Sequence, residues 1–196
     1  LDAADWDEKY RTADHLHWPA GPNLFVADRL ASATPGRGLD LAAGEGRNAV
    51  WLAEQGWKMT AVDFSAVAIE RGRARSDVVD FTLADVTTWE PDGTFDLVLM
   101  AYIHLEMPEL ADLVNRAKGW LEPGGELFMI GHDRSNPEHG HGGPDKPEIL
   151  WDLGAVRLLL DGLNIVEAQV VRRPVTIDGG DDAIALDTLV RGRRPG

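Results

Sequence analysis

Residues 39–48, LDLAAGEGRN, constrain the fold more than any other stretch of the chain. An apolar run with strand character enters a turn at Gly44 and Gly46, and a helix-forming segment follows. Glycine at these two places removes β-carbons, which permits unusual backbone angles and lets a ligand approach the main chain. A strand that passes through such a turn into a helix is the opening of a βαβ unit. Asp40 lies inside the strand, where its carboxylate can brace the loop or face a ligand's ammonium through water. Taken alone, the turn is a weak signal, and its alternative reading is a tight strand-to-helix turn with no ligand.

The rest of the chain continues the alternation. Residues 37–42 read as a first strand, and 48–56 as a helix closed by Gly56. A second strand over 58–65 leads to Ser65, which can cap a helix over 66–76. Third and fourth strands are expected over 78–85 and 94–102. The fourth is almost wholly apolar after Asp96, as strands covered on both faces tend to be. A helix over 108–125 starts near Pro108 and leaves through Pro123-Gly124-Gly125, and 126–133 is a fifth strand. Residues 148–163 read as a helix despite Gly154. The strands 164–174 and 182–193 form a hairpin about Gly179-Gly180-Asp181-Asp182.

Together these segments predict an α/β, Rossmann-like, doubly wound fold with a mostly parallel seven-stranded sheet and a C-terminal antiparallel hairpin. The ligand crevice belongs at the carboxyl ends of the strands, near the point where strand order reverses. A single domain is expected over 1–196. It comprises an N-terminal helical cap segment (1–35), a cofactor-binding core (36–131), a loop or lid (132–147), and a C-terminal helix and hairpin (148–196).

Charge narrows the partners. Acidic residues outnumber basic ones 33 to 19, a formal net charge of −14. That charge opposes nucleic acid and anionic membranes, which require a basic face. Arg191, Arg193 and Arg194 are too few to reverse it. The chain has no cysteine, so disulfides, thiolate nucleophiles and cysteine-bound zinc are excluded, and the cytoplasm is the expected setting. No leader and no apolar run long enough for a membrane span are evident.

Two further acids point to the ligand. Asp63 ends the second strand, where a carboxylate bonds ribose hydroxyls, and Phe64 beside it can pack on an adenine face. Asp85 ends the third strand and can accept from an adenine amino group, while the Val86 N–H donates to a ring nitrogen. Asp40, Asp63 and Asp85 together would repel a dinucleotide's pyrophosphate. A nucleoside carrying a cation, such as S-adenosylmethionine, suits them better.

With these residues in place, the chain resembles the class I S-adenosylmethionine-dependent methyltransferases over roughly residues 36–131. The matching pieces are LDLAAGEGRNAVWLAEQGWKMTAVDFS, LADVTTW, FDLVLMAYIHLE and LEPGGELFMI. Ala42 and Ala43 stand where that family often has glycine and cysteine. WDEKY near the start and GEGRNAVWLA are similar to the small tellurite-resistance and thiopurine methyltransferases. In that group an N-terminal segment closes over the cofactor, and Trp6, Tyr10, Arg11 and Trp18 are the matching residues. Arg11 would meet the cofactor carboxylate; alternatively the three aromatics only fasten an N-terminal helix. The resemblance implies a cofactor site of Trp6, Arg11, Asp40, Ala42, Gly44, Gly46, Asp63, Phe64, Asp85, Val86 and Ala101.

The implied activity is methyl transfer to a small-molecule acceptor, whether a thiol, a hydroxyl or a metalloid anion. Alignment can supply much of the catalysis, and a base helps when the acceptor must lose a proton. His104 is the candidate base and Tyr102 a positioning group; His104 can equally be structural. His132, Asp133, His139, His141 and Asp145 follow no dependable metal spacing, so the loop is expected to be a polar lid and no metal is assigned. His15 and His17 lie in the other segment able to cover the site. Trp51, Trp57, Trp89 and Trp120 read as packing residues. Two rival readings are a nicotinamide-dependent oxidoreductase, which lacks a YxxxK pair here, and a non-catalytic S-adenosylmethionine-binding protein.

Overall fold

The structure, a computed structural model, describes residues 2–12, 21–144, 146–176 and 180–196. His15, His17, Trp18, Asp145 and Gly179 lie outside the described residues. Two compact units divide the chain, Leu1–Leu99 and Met100–Gly196.

The first unit opens with α1 (Ala3–Thr12) and α2 (Leu24–Leu30), then alternates β1 (Arg37–Leu41), α3 (Arg47–Glu54), β2 (Lys58–Asp63), α4 (Ala66–Arg75) and β3 (Asp80–Leu83). β4 (Phe95–Ala101) follows and runs into the second unit. That unit holds α5 (Met107–Gly119), β5 (Leu121–His132), the short α6 (Asn136–His139), α7 (Leu153–Leu159), β6 (Asn164–Thr176) and β7 (Asp182–Arg193). Strand order is β3-β2-β1-β4-β5-β7-β6. β1, β2 and β3 pair in parallel, whereas β7 is antiparallel to both β5 and β6. The order reverses at β1, which has β2 on one side and β4 on the other. The expected seven-stranded sheet and terminal hairpin are therefore present.

Each unit has its own apolar core. Leu39, Leu41, Leu52, Met59 and Ile69 are buried in the first, and Leu110, Leu113, Phe128, Met129, Trp151 and Val156 in the second. Local chemistry accounts for the helix ends. The Asn23 side chain accepts from the Phe25 and Val26 amides at the start of α2, and the Ser65 hydroxyl accepts from Ala68 N at the start of α4. Gly56 adopts φ +94° after α3 and donates to the Ala53 carbonyl. No helix of the described residues is long and apolar enough to cross a membrane.

Three boundaries differ from expectation. β3 stops at Leu83, so Asp85 does not end it: Asp85 instead accepts from Thr87 N at 2.9 Å, an Asx turn that breaks the strand. β5 begins at Leu121, not after the Pro-Gly-Gly sequence, because Gly124 and Gly125 pair with Arg194 through backbone bonds of 3.0 and 2.8 Å. The helix expected over 148–163 is confined to Leu153–Leu159. A 3-10 turn precedes it at Pro147–Ile149, and Trp151 forms a bridge to Asp133, donating to the His132 carbonyl at 2.8 Å. That bridge draws the chain out of helical geometry, and Asp152 then caps α7 by accepting from Ala155 N.

Candidate functional site

The glycine turn is a run of left-handed residues. Ala42, Gly44 and Gly46 have φ of 53°, 58° and 72°. Gly46 has a second requirement, because a β-carbon there would meet the Phe81 ring at 2.5 Å. Ala42 has a β-carbon and still takes the left-handed form, a strain of order 1 kcal/mol or more.

Asp63 ties this turn to the next. One carboxylate oxygen accepts from Gly44 N at 2.8 Å, and the other from Ser65 N at 2.9 Å. The residue is 4% exposed, and burial raises its pKa even though the Ser65, Gly44 and Phe64 amides favour the anion. Asp40 is 1% exposed, and its Oδ2 has no hydrogen-bond partner among the described residues. Its pKa is pushed up to about 7, mainly by burial; the Ala49 amide and Arg47 oppose this, and the Asp63 charge adds to it. Glu45, inside the turn and 2% exposed, is held from α4 by Arg71 at 3.1 Å, while Arg75 bonds its carbonyl at 3.2 Å. Nothing in the spacing of the sequence signalled Glu45 as an anchor.

The turn therefore has two buried acids beside it, and a carboxylate already occupies the Gly44 amide. Glycine-loop amides are what a dinucleotide pyrophosphate needs. This donor set is ill suited to a doubly charged anion and well suited to a nucleoside bearing a cation. Phe64 and Ala42 are half-buried, and Val86 is buried. Asp85 is exposed, with one oxygen committed to the Thr87 amide and hydroxyl.

The N-terminal segment meets the same unit through Asp7, which sequence reasoning missed. Its Oδ1 accepts from the Ser65 hydroxyl at 2.5 Å and from Val67 N at 3.2 Å, so α1 places an acid at the N-terminus of α4. The Ser65 hydroxyl bond, first of several, holds the Asp7 pKa below its ordinary value. Tyr10 is buried, with the Trp6 ring 5.9 Å away, and the Lys9 ammonium lies 4.4 Å from the Trp6 ring. Arg11 is 59% exposed and paired with Glu8 at 2.6 Å on its own helix.

In the second unit, Ala101 ends β4, and Tyr102 follows with φ 59°, a conformation that a bulky residue rarely adopts. Two bonds hold it there: Tyr102 N donates to the Ile130 carbonyl at 2.7 Å, and its hydroxyl to Asp187 at 2.8 Å. His104 has its ring 6.0 Å from that of His132, and Tyr102 lies 4.8 Å from His132. The lid expectation rests on α6 and the loop after it. Asn136, 1% exposed, donates to the Gly142 carbonyl at 2.6 Å and accepts from Leu186 N at 2.6 Å. His139 is 62% exposed, near Glu138 at 3.8 Å. Among the described residues no group of three or more metal-ligating side chains converges.

Residues 39–125 match the family described as methyltransferase domain. Trans-aconitate 2-methyltransferase of Methylobacterium radiotolerans is 31% identical over 141 residues, 69% of this chain and 53% of that protein. The chain spans about half the length of the curated relatives it matches. TehB from Haemophilus influenzae is similar in structure with a TM-score of 0.75 at 16% identity, over 96% of this chain and 65% of that one. The N-methyltransferase NodS from Bradyrhizobium japonicum, in complex with S-adenosyl-L-homocysteine, gives a TM-score of 0.73 at 19% identity, over 99% and 98% of the two chains. These structures share the fold.

Proposed function

From the match of residues 39–125 to the family described as methyltransferase domain, we propose that this chain is of the class I S-adenosylmethionine-dependent kind and transfers a methyl group from S-adenosylmethionine to a small-molecule acceptor. The observation that carries the reading is the Asp63 carboxylate on the Gly44 amide, with Asp40 buried behind it. This arrangement disfavours a pyrophosphate and suits a cationic nucleoside. The bound cofactor would supply a methyl carbon activated by a sulfonium leaving group. Asp63 would bond the ribose hydroxyls with its remaining lone pairs, Phe64 would flank the adenine, and Asp85 and Val86 would meet the adenine edge. Ala42, Gly44 and Gly46 would give the methionine portion access to the backbone, with Asp40 as the nearby counter-charge.

Trp6 and Arg11 would close over the cofactor from α1, which requires Arg11 to leave Glu8. Ala101 belongs to the cofactor side and Tyr102 and His104 to the acceptor side in this reading, and 132–147 would act as a lid. The acid excess argues against nucleic acid as the acceptor, and a cysteine-free chain accords with the cytoplasm.

Calorimetric titration with S-adenosylhomocysteine, NADH and NADPH tests the proposal. S-adenosylhomocysteine alone should bind, and Asp63→Asn should weaken it by roughly tenfold or more, the worth of a charged hydrogen bond. Binding of a nicotinamide cofactor instead would overturn the reading.

A further inference from the structure

One edge of the sheet is long and carries exposed apolar side chains. β6 ends the strand order, with β7 on one side and no strand on the other among the described residues. It runs over Asn164–Thr176, 13 residues, about twice the length of an ordinary strand. Ile165, Val166 and Val170 along it are exposed. An open edge of this kind is a template for another strand, and folded chains blunt it or cover it.

Two interruptions bound the part of β6 that can pair outward. Val166 is a bulge: Ile165 and Glu167 oppose Gly192 and Arg191, and Val166 opposes neither. Pro174 has no N–H to donate. Residues 167–173 lie between them, and their midpoint is Val170. Which main-chain groups face outward follows from β7. The Leu186 carbonyl accepts from Asp133 N at 3.0 Å, and its amide donates to the Asn136 side chain at 2.6 Å, so both are directed to the β5 side. Arg172, opposite Leu186, therefore belongs to a non-hydrogen-bonded pair and turns its own N–H and C=O outward. By alternation Ala168 and Val170 do the same.

We propose that this edge pairs with β6 of a second copy of the chain, antiparallel about a two-fold axis through Val170, so that two seven-stranded sheets join into one. In this register Val170 meets the partner's Val170 and Ala168 meets the partner's Arg172, through groups that already face outward. Glu167 meets the partner's Arg173 on each side of the axis, an opposite-charge pair on one face. The interrupted positions fall opposite each other, Val166 against the partner's Pro174, so the missing amide removes no bond from the paired segment. Moving the axis by one residue loses the match, because Glu167 then opposes the partner's Val171 or the partner's Val175. Sign favours the same partner. Glu167 is the one acid of β6 against Arg172 and Arg173, so this edge lacks the acid excess of a chain of net charge −14, and a second acidic copy can approach it. Within one chain Arg191 bonds Glu167 at 3.2 Å and Arg173 bonds Asp187 at 2.7 Å, and the partner's charges continue that row of alternating sign. A two-fold contact requires a self-complementary patch, and the Val170 register supplies one.

Sedimentation velocity of the whole chain is the test. At about 100 µM the wild type should sediment as a species of twice the 21.4 kDa chain mass. Val170→Lys sets two ammonium groups face to face at the axis and should be monomeric, with the thermal midpoint of the monomer unchanged. A monomeric wild type overturns the proposal, and so does a dimer that Val170→Lys leaves intact. The register has its own test, because the chain has no cysteine. Mild oxidation should join Val170→Cys into a covalent dimer, since directly opposed residues of a bonded pair stand about 5.5 Å apart at Cα. Ala168→Cys, more than about 10 Å from its copy, should stay uncoupled. Equal coupling of the two variants overturns the Val170 register. If Val170→Lys fails to fold, Val170→Cys still decides, because its failure to couple overturns the proposal. None of these readouts involves S-adenosylhomocysteine, so their failure leaves the methyl-transfer reading standing.

Discussion

Asp40 carries the most consequential charge in the first unit, and its titration runs opposite to that of a carboxylate held by a cation. Its pKa is about 7 when folded, against 3.8 for an aspartate in water, because burial disfavours the anion. Between those values the folded chain holds a proton that the unfolded chain has released. Stability therefore falls as pH rises through that window and levels off above it. Asp40→Asn should flatten the slope, and the variant should gain roughly 2–4 kcal/mol on the wild type between pH 4 and 8. Urea midpoints at a series of pH values measure this directly. Parallel curves for the two proteins would mean that Asp40 is solvated and ionised throughout. Ala42 offers a second residue-scale test. Glycine relieves its left-handed strain but adds unfolded-state entropy, so Ala42→Gly should change stability by under about 1 kcal/mol. Ala49→Gly inside α3 has no such relief and should cost about 1 kcal/mol or more.

At the scale of elements, each piece is fastened by one or two polar anchors on an apolar base. α2 depends on Asn23, whose side chain caps it while its own amide donates to the Asn48 side chain of α3 at 2.8 Å. Asn23→Ala should cost about 1–2 kcal/mol, measurable as a lower thermal midpoint. β5 is limited by space. A β-carbon at Gly131 would stand 2.7 Å from the Trp151 ring, which is 1% exposed and cannot retreat. Gly131→Ala should destabilise by about 1–3 kcal/mol, and Trp151→Phe in the same chain should recover part of the loss by making room. α1 is held differently, through Asp7 at the α4 N-terminus. Asp7→Ala should make residues 2–12 more open to limited proteolysis while the thermal midpoint moves little.

Charge acts on the whole molecule at once. With a net charge of −14, self-repulsion opposes the compact state and salt screens it. The thermal midpoint should rise as sodium chloride is brought from a few millimolar toward about 0.2 M. A midpoint that falls with salt would mean that ion pairs such as Arg191–Glu126 at 2.7 Å outweigh the repulsion. Strand order is also a property of the whole sheet, since β1 has its neighbours β2 and β4 on its two sides although both follow it in sequence. In open α/β sheets such a reversal is where a ligand crevice forms, a property of the sheet and of no single motif.

What the sequence determined by itself was everything carried by local chemistry. Glycine at 44 and 46, Ser65 as a helix cap, Gly56 as a helix stop and the alternation of strand with helix all act within a few residues, so their pattern was legible. The two hairpin strands were also legible, and β7 matches the expected 182–193. Tertiary structure decided the rest, because the groups concerned are remote in sequence. Asp187 becomes the centre of a polar cluster only when β7 inserts between β5 and β6 and sets it opposite His132. Trp151 leaves a helix-like sequence because the His132 carbonyl needs a donor. Asp7 and Glu45 become anchors only when α4 lies against them. A buried polar group must find its partner wherever the fold supplies one, and a strand's neighbours are set by register across the sheet, which no short stretch of sequence encodes.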